Sequence, residues 1–268
     1  MARFFYILLF ALTLTSCSEF QKALKSEDVK TKYEVAEKLY TDGKYMKAIR
    51  LFEQIAPSYA GKPQAEKMFF MYSDALYKTK QYYTAGYQFE KFSAGYPRSQ
   101  KAEEALFLGA KSYYHLSPRY SLDQVDTYKA LDKMQAFIDT YPTSQYMPEA
   151  NQLVKELREK LETKAFEIAK QYYATAEYFG DYNAAIKTFD NFIIDFPGTP
   201  LKEDALYLKF DSSYQLAINS IQTKMQERLV AAKANYAALV KFKSDTKYKA
   251  QADAMLTKID TELEKFSK

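Results

Sequence analysis

The chain has 268 residues, a formal net charge of +4, one cysteine, one histidine and no tryptophan. A single cysteine excludes an internal disulfide, and one histidine with one cysteine cannot supply the three or four nitrogen and sulfur ligands that a transition-metal site usually needs. The positive charge is weak and interspersed with acidic residues, which argues against a nucleic-acid partner.

The first 16 residues are predicted to be a secretory signal peptide and not part of the fold. Arg3 supplies a positive start, and the apolar run from Phe4 to Leu12 is too short to span a bilayer. Leu14-Thr15-Ser16 then leads into Cys17, a sequence similar to a bacterial lipobox, in which the cysteine is lipidated and becomes the new N-terminus. We therefore expect Cys17 to anchor the chain to a membrane. The alternative is an ordinary signal peptide followed by a chance cysteine.

Residues 17–26 are predicted to be the lipidated N-terminus and a tether, and an all-α fold follows. Apolar residues three and four apart along the remaining chain indicate amphipathic helices. The last helix is expected to cap the open end of the fold. The predicted helices cover residues 27–41, 44–58, 63–79, 81–95, 99–115, 124–140, 147–179, 181–195, 200–222, 225–243 and 245–267.

These helices form pairs that repeat along the chain. A small residue recurs where two helices would cross, at Ala48, Ala85, Ala130, Ala185 and Ala232. Repeated helix pairs with small and aromatic residues at fixed positions are typical of tetratricopeptide solenoids. The sequence predicts a right-handed α-solenoid of about five tetratricopeptide-like hairpins with a C-terminal capping helix. Residues 27–146 would hold about three hairpins, and residues 147–268 the C-terminal repeats and the capping helix.

Three connectors between hairpins share an aromatic residue, a proline, a variable residue and a hydroxyl residue. The proline stops one helix, and the hydroxyl can cap the next. The fifth repeat departs from the pattern, since Lys243-Ser244 stands in place of the aromatic residue and proline. The three connectors are Tyr96-Pro97-Arg98-Ser99, Tyr141-Pro142-Thr143-Ser144 and Phe196-Pro197-Gly198-Thr199.

With the lipobox, the chain length and the five repeats, these connectors resemble the BamD family, lipoproteins of the outer-membrane β-barrel assembly machinery. The resemblance covers nearly the whole mature chain. It implies a scaffold that faces the periplasm from the outer membrane and binds a BamA-type β-barrel subunit, other assembly lipoproteins and unfolded outer-membrane proteins. Ser18, in place of aspartate after Cys17, is similar to the usual signal for sorting to the outer membrane.

The resemblance also implies which end of the chain binds which partner. The N-terminal repeats would receive the C-terminal segment of unfolded outer-membrane proteins. The C-terminal repeats would dock the BamA-type subunit, through a hairpin that carries Lys224, Arg228 and Lys233.

Two positions in the first helix of each hairpin, such as Tyr33 and Tyr40, are expected to face an inner groove. A large ring left in water forgoes about 1.5–3 kcal/mol of burial, so rows of exposed rings indicate a surface that binds a polypeptide. The alternative is that the rings fill the space between long helices. The proposed groove residues are the rings Tyr33, Tyr40, Phe70, Tyr77, Phe107 and Tyr114, with Glu37, Asp74 and Lys111 on the same face.

No residue pattern indicates catalysis or a cofactor, and we expect the protein not to be an enzyme. His115 is expected to pack at a helix end or lie on the surface, and the seven glycines form no phosphate-binding loop. Three other functions remain open. A tetratricopeptide lipoprotein could serve envelope maintenance or motility. A nutrient-binding lipoprotein is disfavoured because sugar sites usually stack on tryptophan. An envelope hydrolase would need a catalytic domain for which the length leaves no room.

Overall fold

The computed structural model describes residues 18–266, so the predicted signal peptide, Cys17 and residues 267–268 lie outside the described residues. The described chain is entirely helical. The helices are α1 (Ser18–Lys25), α2 (Val29–Thr41), α3 (Tyr45–Tyr59), α4 (Ala65–Lys78), α5 (Tyr82–Gly95), α6 (Ala102–Leu116), α7 (Val125–Thr140), α8 (Met147–Phe179), α9 (Asn183–Asp195), α10 (Lys202–Ile218), α11 (Gln222–Phe242) and α12 (Lys249–Glu264).

The predicted helices from α2 onward are confirmed to within a few residues at each end. They pair into hairpins as the repeat pattern predicted, with α2 against α3, α4 against α5, α6 against α7 and α10 against α11. The recurring alanines at the helix crossings are fully buried, as are Phe52 and Phe89, which occupy equivalent positions in successive repeats. The last helix, α12, packs on α10 and α11 through Ala252 and Ile259.

The chain divides into two compact units, Met1–Leu157 and Arg158–Lys268. The division falls inside α8, eleven residues after the predicted boundary between residues 146 and 147 (157 − 146 = 11). The early part of α8 belongs to unit 1, because Ala150 and Leu153 pack with Phe107 and Phe137. Its later part belongs to unit 2, where Phe166 packs among residues of α9. One continuous helix thus contributes residues to the cores of both units. The spacing of apolar residues along it did not reveal where the division falls.

Residues 18–25, expected to be a tether, instead form helix α1. Phe20 and Ala23 are buried in the core that α1 shares with α2 and α3. Lys47 lies over the Phe20 ring, with its Nζ 5.7 Å from the ring centroid. The apolar face of α1 is only a few residues wide and is flanked by lysines, so the segment looked polar in sequence. Its helical structure comes from packing rather than from a strong local pattern.

Two glycines lie at the crossing of α5 and α6. A Cβ atom on Gly86 would lie 3.0 Å from Cε2 of Tyr113, and one on Gly109 would lie 3.2 Å from Cβ of Phe89. Both distances are shorter than ordinary carbon contacts, so an alanine at either position would force the neighbouring side chain to shift by a few tenths of an ångström.

The connector hydroxyls bond the turn that precedes each following helix, and the first two also bind the preceding repeat. The prediction that they cap the helices is wrong for α6 and α10, whose N-cap residues Lys101 and Leu201 have no side-chain capping bond. Ser99 Oγ accepts a hydrogen bond from Lys101 N at 3.0 Å and donates to Glu66 Oε1 on α4 at 2.6 Å. Ser144 Oγ repeats this arrangement, accepting from Tyr146 N at 3.0 Å and donating to a glutamate on α6 at 2.5 Å. Each hydroxyl therefore ties the start of one repeat to the first helix of the repeat before it.

The fifth connector keeps this chemistry although it lacks the aromatic residue and proline. Thr246 Oγ1 accepts from Tyr248 N at 3.4 Å and donates to Glu203 Oε1 at 2.7 Å. Lys243 Nζ is 2.8 Å from the other oxygen of Glu203. The departure at Lys243-Ser244 is thus compensated by Thr246, which takes the position of the connector hydroxyl.

Candidate functional site

Two of the six rings predicted to line an inner groove are in the core. Tyr33 stacks on Tyr59 of α3, with ring centroids 5.2 Å apart and planes 19° apart. Phe107 is 2% exposed and stacks on Tyr146, with centroids 4.6 Å apart. The expectation that all six rings are exposed is therefore wrong for these two. Both rings are covered by a ring from another part of the chain, which the spacing within one helix could not indicate.

The other four rings are half-buried, and the hydroxyl groups of the three tyrosines among them bind the next repeat. Tyr40 donates to Asp74 Oδ2 on α4, and Lys78 Nζ lies 2.9 Å from the same oxygen. Burial and this hydrogen bond raise the pKa of Tyr40 well above its usual range. Tyr114 donates to Glu156 on α8, and this bond, with burial, raises the pKa of Tyr114 to about 12.

The middle repeat has a different set of contacts at the same positions. The hydroxyl of Tyr77 lies 3.2 Å from His115 Nε2, and the ring of Tyr82 stacks on His115 with centroids 4.3 Å apart. Partial burial lowers the pKa of His115, and the nearby cations Lys111 and Lys80 lower it further. Lys111 forms an ion pair with Glu149 on α8 at 2.6 Å.

These contacts form an inter-repeat ladder, which we define as the bonds Tyr40–Asp74, Lys111–Glu149 and Tyr114–Glu156. Unit 2 has an equivalent bond, from Tyr173 to Asp211, and burial with this bond raises the pKa of Tyr173. Most of the predicted groove residues thus also bond the first helix of one repeat to the first helix of the next repeat. The structure brings them together, but as a row of paired groups rather than as free side chains.

One part of the predicted surface remains open. It is a groove of about 550 Å³ between α2 and α4, which we call the Phe70 groove. Lys101 Nζ lies 5.1 Å from the Phe70 ring centroid, and Lys67 pairs with Glu37 at the rim. An apolar floor with charges of both signs at its rim suits an extended polypeptide that inserts a large side chain. The groove is lined by Glu37, Tyr40, Thr41, Pro63, Glu66, Lys67, Phe70, Met71, Phe92 and Lys101.

The predicted docking residues of unit 2 separate into two places. Lys224 and Arg228 line a groove of about 430 Å³ between α9, α10 and α11, which we call the Arg228 groove. Arg228 Nη1 donates to Ser220 Oγ at 2.6 Å, which holds the guanidinium in place. Lys233 does not line this groove and instead pairs with Asp260 of α12 at 2.7 Å.

Sequence reasoning missed a third groove, of about 770 Å³, which we call the Tyr72 groove. It lies between α3 and α5 over α4 and is lined by Phe69, Tyr72, Phe92 and Tyr96 among others. Burial and the Glu53 carboxylate raise the pKa of Tyr72 to about 12. Phe69 and Tyr72 lie close to Phe70 in the sequence and could have indicated this groove. The prediction missed it because it used only residues on one face of α4.

Within residues 18–266, no group of acidic, histidine or cysteine side chains is arranged to hold a metal ion. The same residues include no helix with the length and apolar character needed to cross a bilayer.

The chain matches the family model YfiO, described as an outer membrane lipoprotein, over residues 25–180 and 176–266. It is also similar to two crystal structures of nearly identical tetratricopeptide-like repeats from a putative kinesin light chain of Podosopora anserina. The first, a point-substituted form of that protein, is 15% identical with a TM-score of 0.33, covering 82% of this chain and 98% of its own. The second is 16% identical with a TM-score of 0.32, covering 80% and 98%. No curated protein matches the chain.

Proposed function

Because the chain belongs to the YfiO (BamD) family of outer membrane lipoproteins, we propose that it is a non-catalytic scaffold of the outer-membrane β-barrel assembly machinery. It receives segments of unfolded outer-membrane proteins and docks a BamA-type β-barrel subunit, together with other assembly lipoproteins. Lipidated Cys17 anchors it in the outer membrane, with the repeats in the periplasm. The observation that carries the proposal is the family match, which includes nearly all described residues of both units.

The Phe70 groove supports the proposed reception of unfolded chains. Its half-buried rings can pack an aromatic side chain edge to face, an arrangement worth about 0.5–1.5 kcal/mol beyond the area buried. The cations Lys67 and Lys101 at the rim can bind a carboxylate of the incoming peptide, while Glu66 can accept from its backbone. A groove that recognises rings and charge, rather than one sequence, is suited to many different clients.

The Arg228 groove supports the proposed docking of the barrel subunit. Lys224 and Arg228 lie one turn apart on α11, beside an apolar floor containing Ile186 and Leu216. A folded partner domain with an acidic side chain would form a hydrogen-bonded ion pair with the guanidinium, which its bond to Ser220 already orients. Lys233 contributes to the same hairpin indirectly, because its pair with Asp260 holds α12 on α11.

Co-purification from detergent extracts tests this proposal. We expect the processed lipoprotein to recover a β-barrel subunit of the BamA type. The double variant Lys224→Glu with Arg228→Glu should lose that subunit, whereas Lys187→Glu, an exposed charge reversal on α9, should retain it. Recovery of other envelope proteins without any barrel subunit would contradict the proposed function and would favour an envelope maintenance or motility role.

A further inference from the structure

The structure places the first helix directly beside the proposed anchor. Helix α1 begins at Ser18, one residue after Cys17, and adjacent Cα atoms are only about 3.8 Å apart. Because Phe20 and Ala23 fix α1 in the core of unit 1, a lipid on Cys17 has no slack chain behind it. If Cys17 is acylated, as the proposed function requires, the part of unit 1 around the start of α1 must lie at the membrane surface.

That part of unit 1 is the end at which each hairpin turns. Glu19 of α1 pairs with Lys38 in the last turn of α2 at 2.8 Å, so the start of α1 lies beside the α2–α3 turn. Gln81 in the α4–α5 turn donates to the sulfur of Met46 at 3.6 Å. Tyr82 at the start of α5 stacks on His115 near the end of α6. The three turns are therefore neighbours in a row that starts at α1, and we call this row the turn edge.

The turn edge carries five of the seven large exposed apolar side chains among residues 19–157, and the other two, Tyr87 and Tyr128, lie further along α5 and α7. Met46, Tyr83, Tyr120, Leu122 and Val125 are between 41% and 68% exposed. The opposite edge, where the connectors run, has none of the large exposed hydrophobic residues among residues 19–157. The α6–α7 turn is also well ordered, because the amide of buried Gln124 donates to Leu122 O at 2.8 Å. A one-sided apolar surface of this kind marks an interaction surface.

Cations accompany these side chains, and one of them is held in a strained backbone conformation. Lys80 has a φ of 60°, whereas glycine occupies the equivalent position of the preceding repeat, where Gly43 has a φ of 72°. A non-glycine residue costs about 1–2 kcal/mol in this region, so strain of this kind points to function. Of the acidic residues near the turns, Glu19 pairs with Lys38 and Asp42 pairs with Lys44. At the α6–α7 turn, Asp123 accepts from Val125 N and Asp126 is exposed.

We propose that the turn edge of unit 1 lies in the headgroup layer of the membrane that the Cys17 lipid enters. Tyrosine and aliphatic tips beside lysine and arginine are the composition of membrane-interface surfaces, in which rings sit at headgroup level and cations reach phosphates. Lys80 and Arg119 supply the cations, and Tyr83, Leu122 and Val125 supply the apolar tips. The contact would fix the orientation of unit 1 on the membrane.

Site-specific fluorescence on the acylated full chain tests this inference. Cysteine is introduced at Tyr83 and at Leu122 on the turn edge, and at Arg98 on the opposite edge as the control. Each variant is labelled with an environment-sensitive dye and reconstituted in vesicles of phosphatidylethanolamine and phosphatidylglycerol. Since acylation blocks the sulfur of Cys17, the only native cysteine, the dye reports on the introduced position alone.

We expect a spin-labelled lipid to quench the dyes at 83 and 122 several-fold more strongly than the dye at 98, and aqueous iodide to show the reverse order. Equal quenching at the three positions would overturn the inference. Protection of 83 and 122 from both quenchers would also overturn it, since a protein partner or a second copy would then cover the edge.

A second measurement separates this inference from the lipid anchor. The mature chain with Cys17→Ser should still bind the same vesicles weakly, and the further change Tyr83→Ser with Leu122→Ser should reduce that binding about tenfold. Arg98→Ser should leave it unchanged. Labelling of Cys17 in the parent chain would refute acylation and the proposed anchor, whereas unchanged vesicle binding by the double variant would refute the turn edge alone.

Discussion

The connectors between repeats, which we call joints, differ in chemistry. Those of unit 1 and the last one of unit 2 hold successive repeats together through different contacts. In unit 1, Tyr96 packs on Phe92 with ring centroids 5.3 Å apart, the adjacent proline ends the helix, and a serine hydroxyl bonds one carboxylate. In the last joint of unit 2 there is no proline, and Glu203 accepts from Lys243, Thr246 and the backbone N of Lys247. A joint without the aromatic residue and proline is thus held by charge.

The neighbouring residues of that joint reinforce the same difference. Tyr248 donates to Asp204 at 2.5 Å, and its ring stacks on Tyr207 with centroids 3.8 Å apart. Lys247 pairs with the same aspartate. Unit 1 is therefore expected to depend mainly on buried rings and to respond little to pH, whereas the end of unit 2 should respond to acid. Four substitutions test this contrast, beginning with the largest expected effect.

Phe107→Ala should destabilise unit 1 by about 3–5 kcal/mol, because it leaves a cavity beneath Tyr146 and Phe137. The loss is measured by denaturant unfolding of the purified chain. Tyr87→Ala on α5 is the control, since that ring is 48% exposed and its removal should cost little. Similar unfolding curves for the two variants would show that Phe107 belongs to an open surface, as the sequence alone suggested.

Glu203→Gln should weaken the acid sensitivity of unit 2. Hydrogen bonds from Lys243, Thr246 and the Lys247 backbone lower the pKa of Glu203 from 4.5 to about 2. Because the folded-state pKa is the lower one, this stabilisation is present above pH 4.5 and is lost as the pH falls towards 2. Thermal melts across this range should show a smaller loss for the variant than for the parent chain.

Glu66→Gln is the matched control for that substitution, because Glu66 accepts from a connector hydroxyl without a lysine partner in the same joint. Its effect should be confined to unit 1. If both variants change the acid response equally, the contrast between the two joints is not real.

Tyr40→Phe should destabilise unit 1 by about 1–2 kcal/mol, since it removes a hydrogen bond to the buried carboxylate of Asp74. The ring and its packing remain, so the change reports on the inter-repeat ladder alone. Tyr87→Phe, which alters an exposed hydroxyl, should have no measurable effect on the unfolding midpoint. An equally silent Tyr40→Phe would leave the ladder without a stabilising role.

Lys80→Gly should give the smallest effect and the opposite sign, a stabilisation of about 1 kcal/mol from relief of left-handed strain. Lys91→Gly inside α5 should instead cost about 1 kcal/mol, as glycine does in a helix interior. Denaturant unfolding of both variants beside the parent chain measures the two changes in the free energy of unfolding. A loss of stability in both would mean that the backbone of Lys80 is not strained.

The fold was largely predictable because its signals are local. The spacing of Ala48 and Ala85, and connectors such as Tyr96-Pro97-Arg98-Ser99, depend on a few neighbouring residues, and the structure confirms the helices and the breaks between them. Thr246 was also within reach, since it lies 47 residues after Thr199, the shift that relates the last two repeats (246 − 199 = 47).

The candidate site was predicted less well because ring exposure is set by distant parts of the chain. Tyr33 is covered by Tyr59 and Phe107 by Tyr146, and no spacing within one helix reveals such partners. Helix α1 was missed for the same reason, since the burial of Phe20 depends on the helices it meets. The polar positions Glu37, Asp74 and Lys111 were predicted only to share one face, since their pairing across repeats is visible only in three dimensions.

We propose that the Phe70 groove and the Arg228 groove bind two different classes of protein. Photo-crosslinking in cells tests it most directly, with a photoreactive residue at Lys101 beside the Phe70 groove, at Lys224 in the Arg228 groove, or at Lys187 as the control. We expect adducts with unfolded outer-membrane proteins from position 101 and with a BamA-type subunit from position 224. The same adducts from all three positions, or none from 101 and 224, would contradict it.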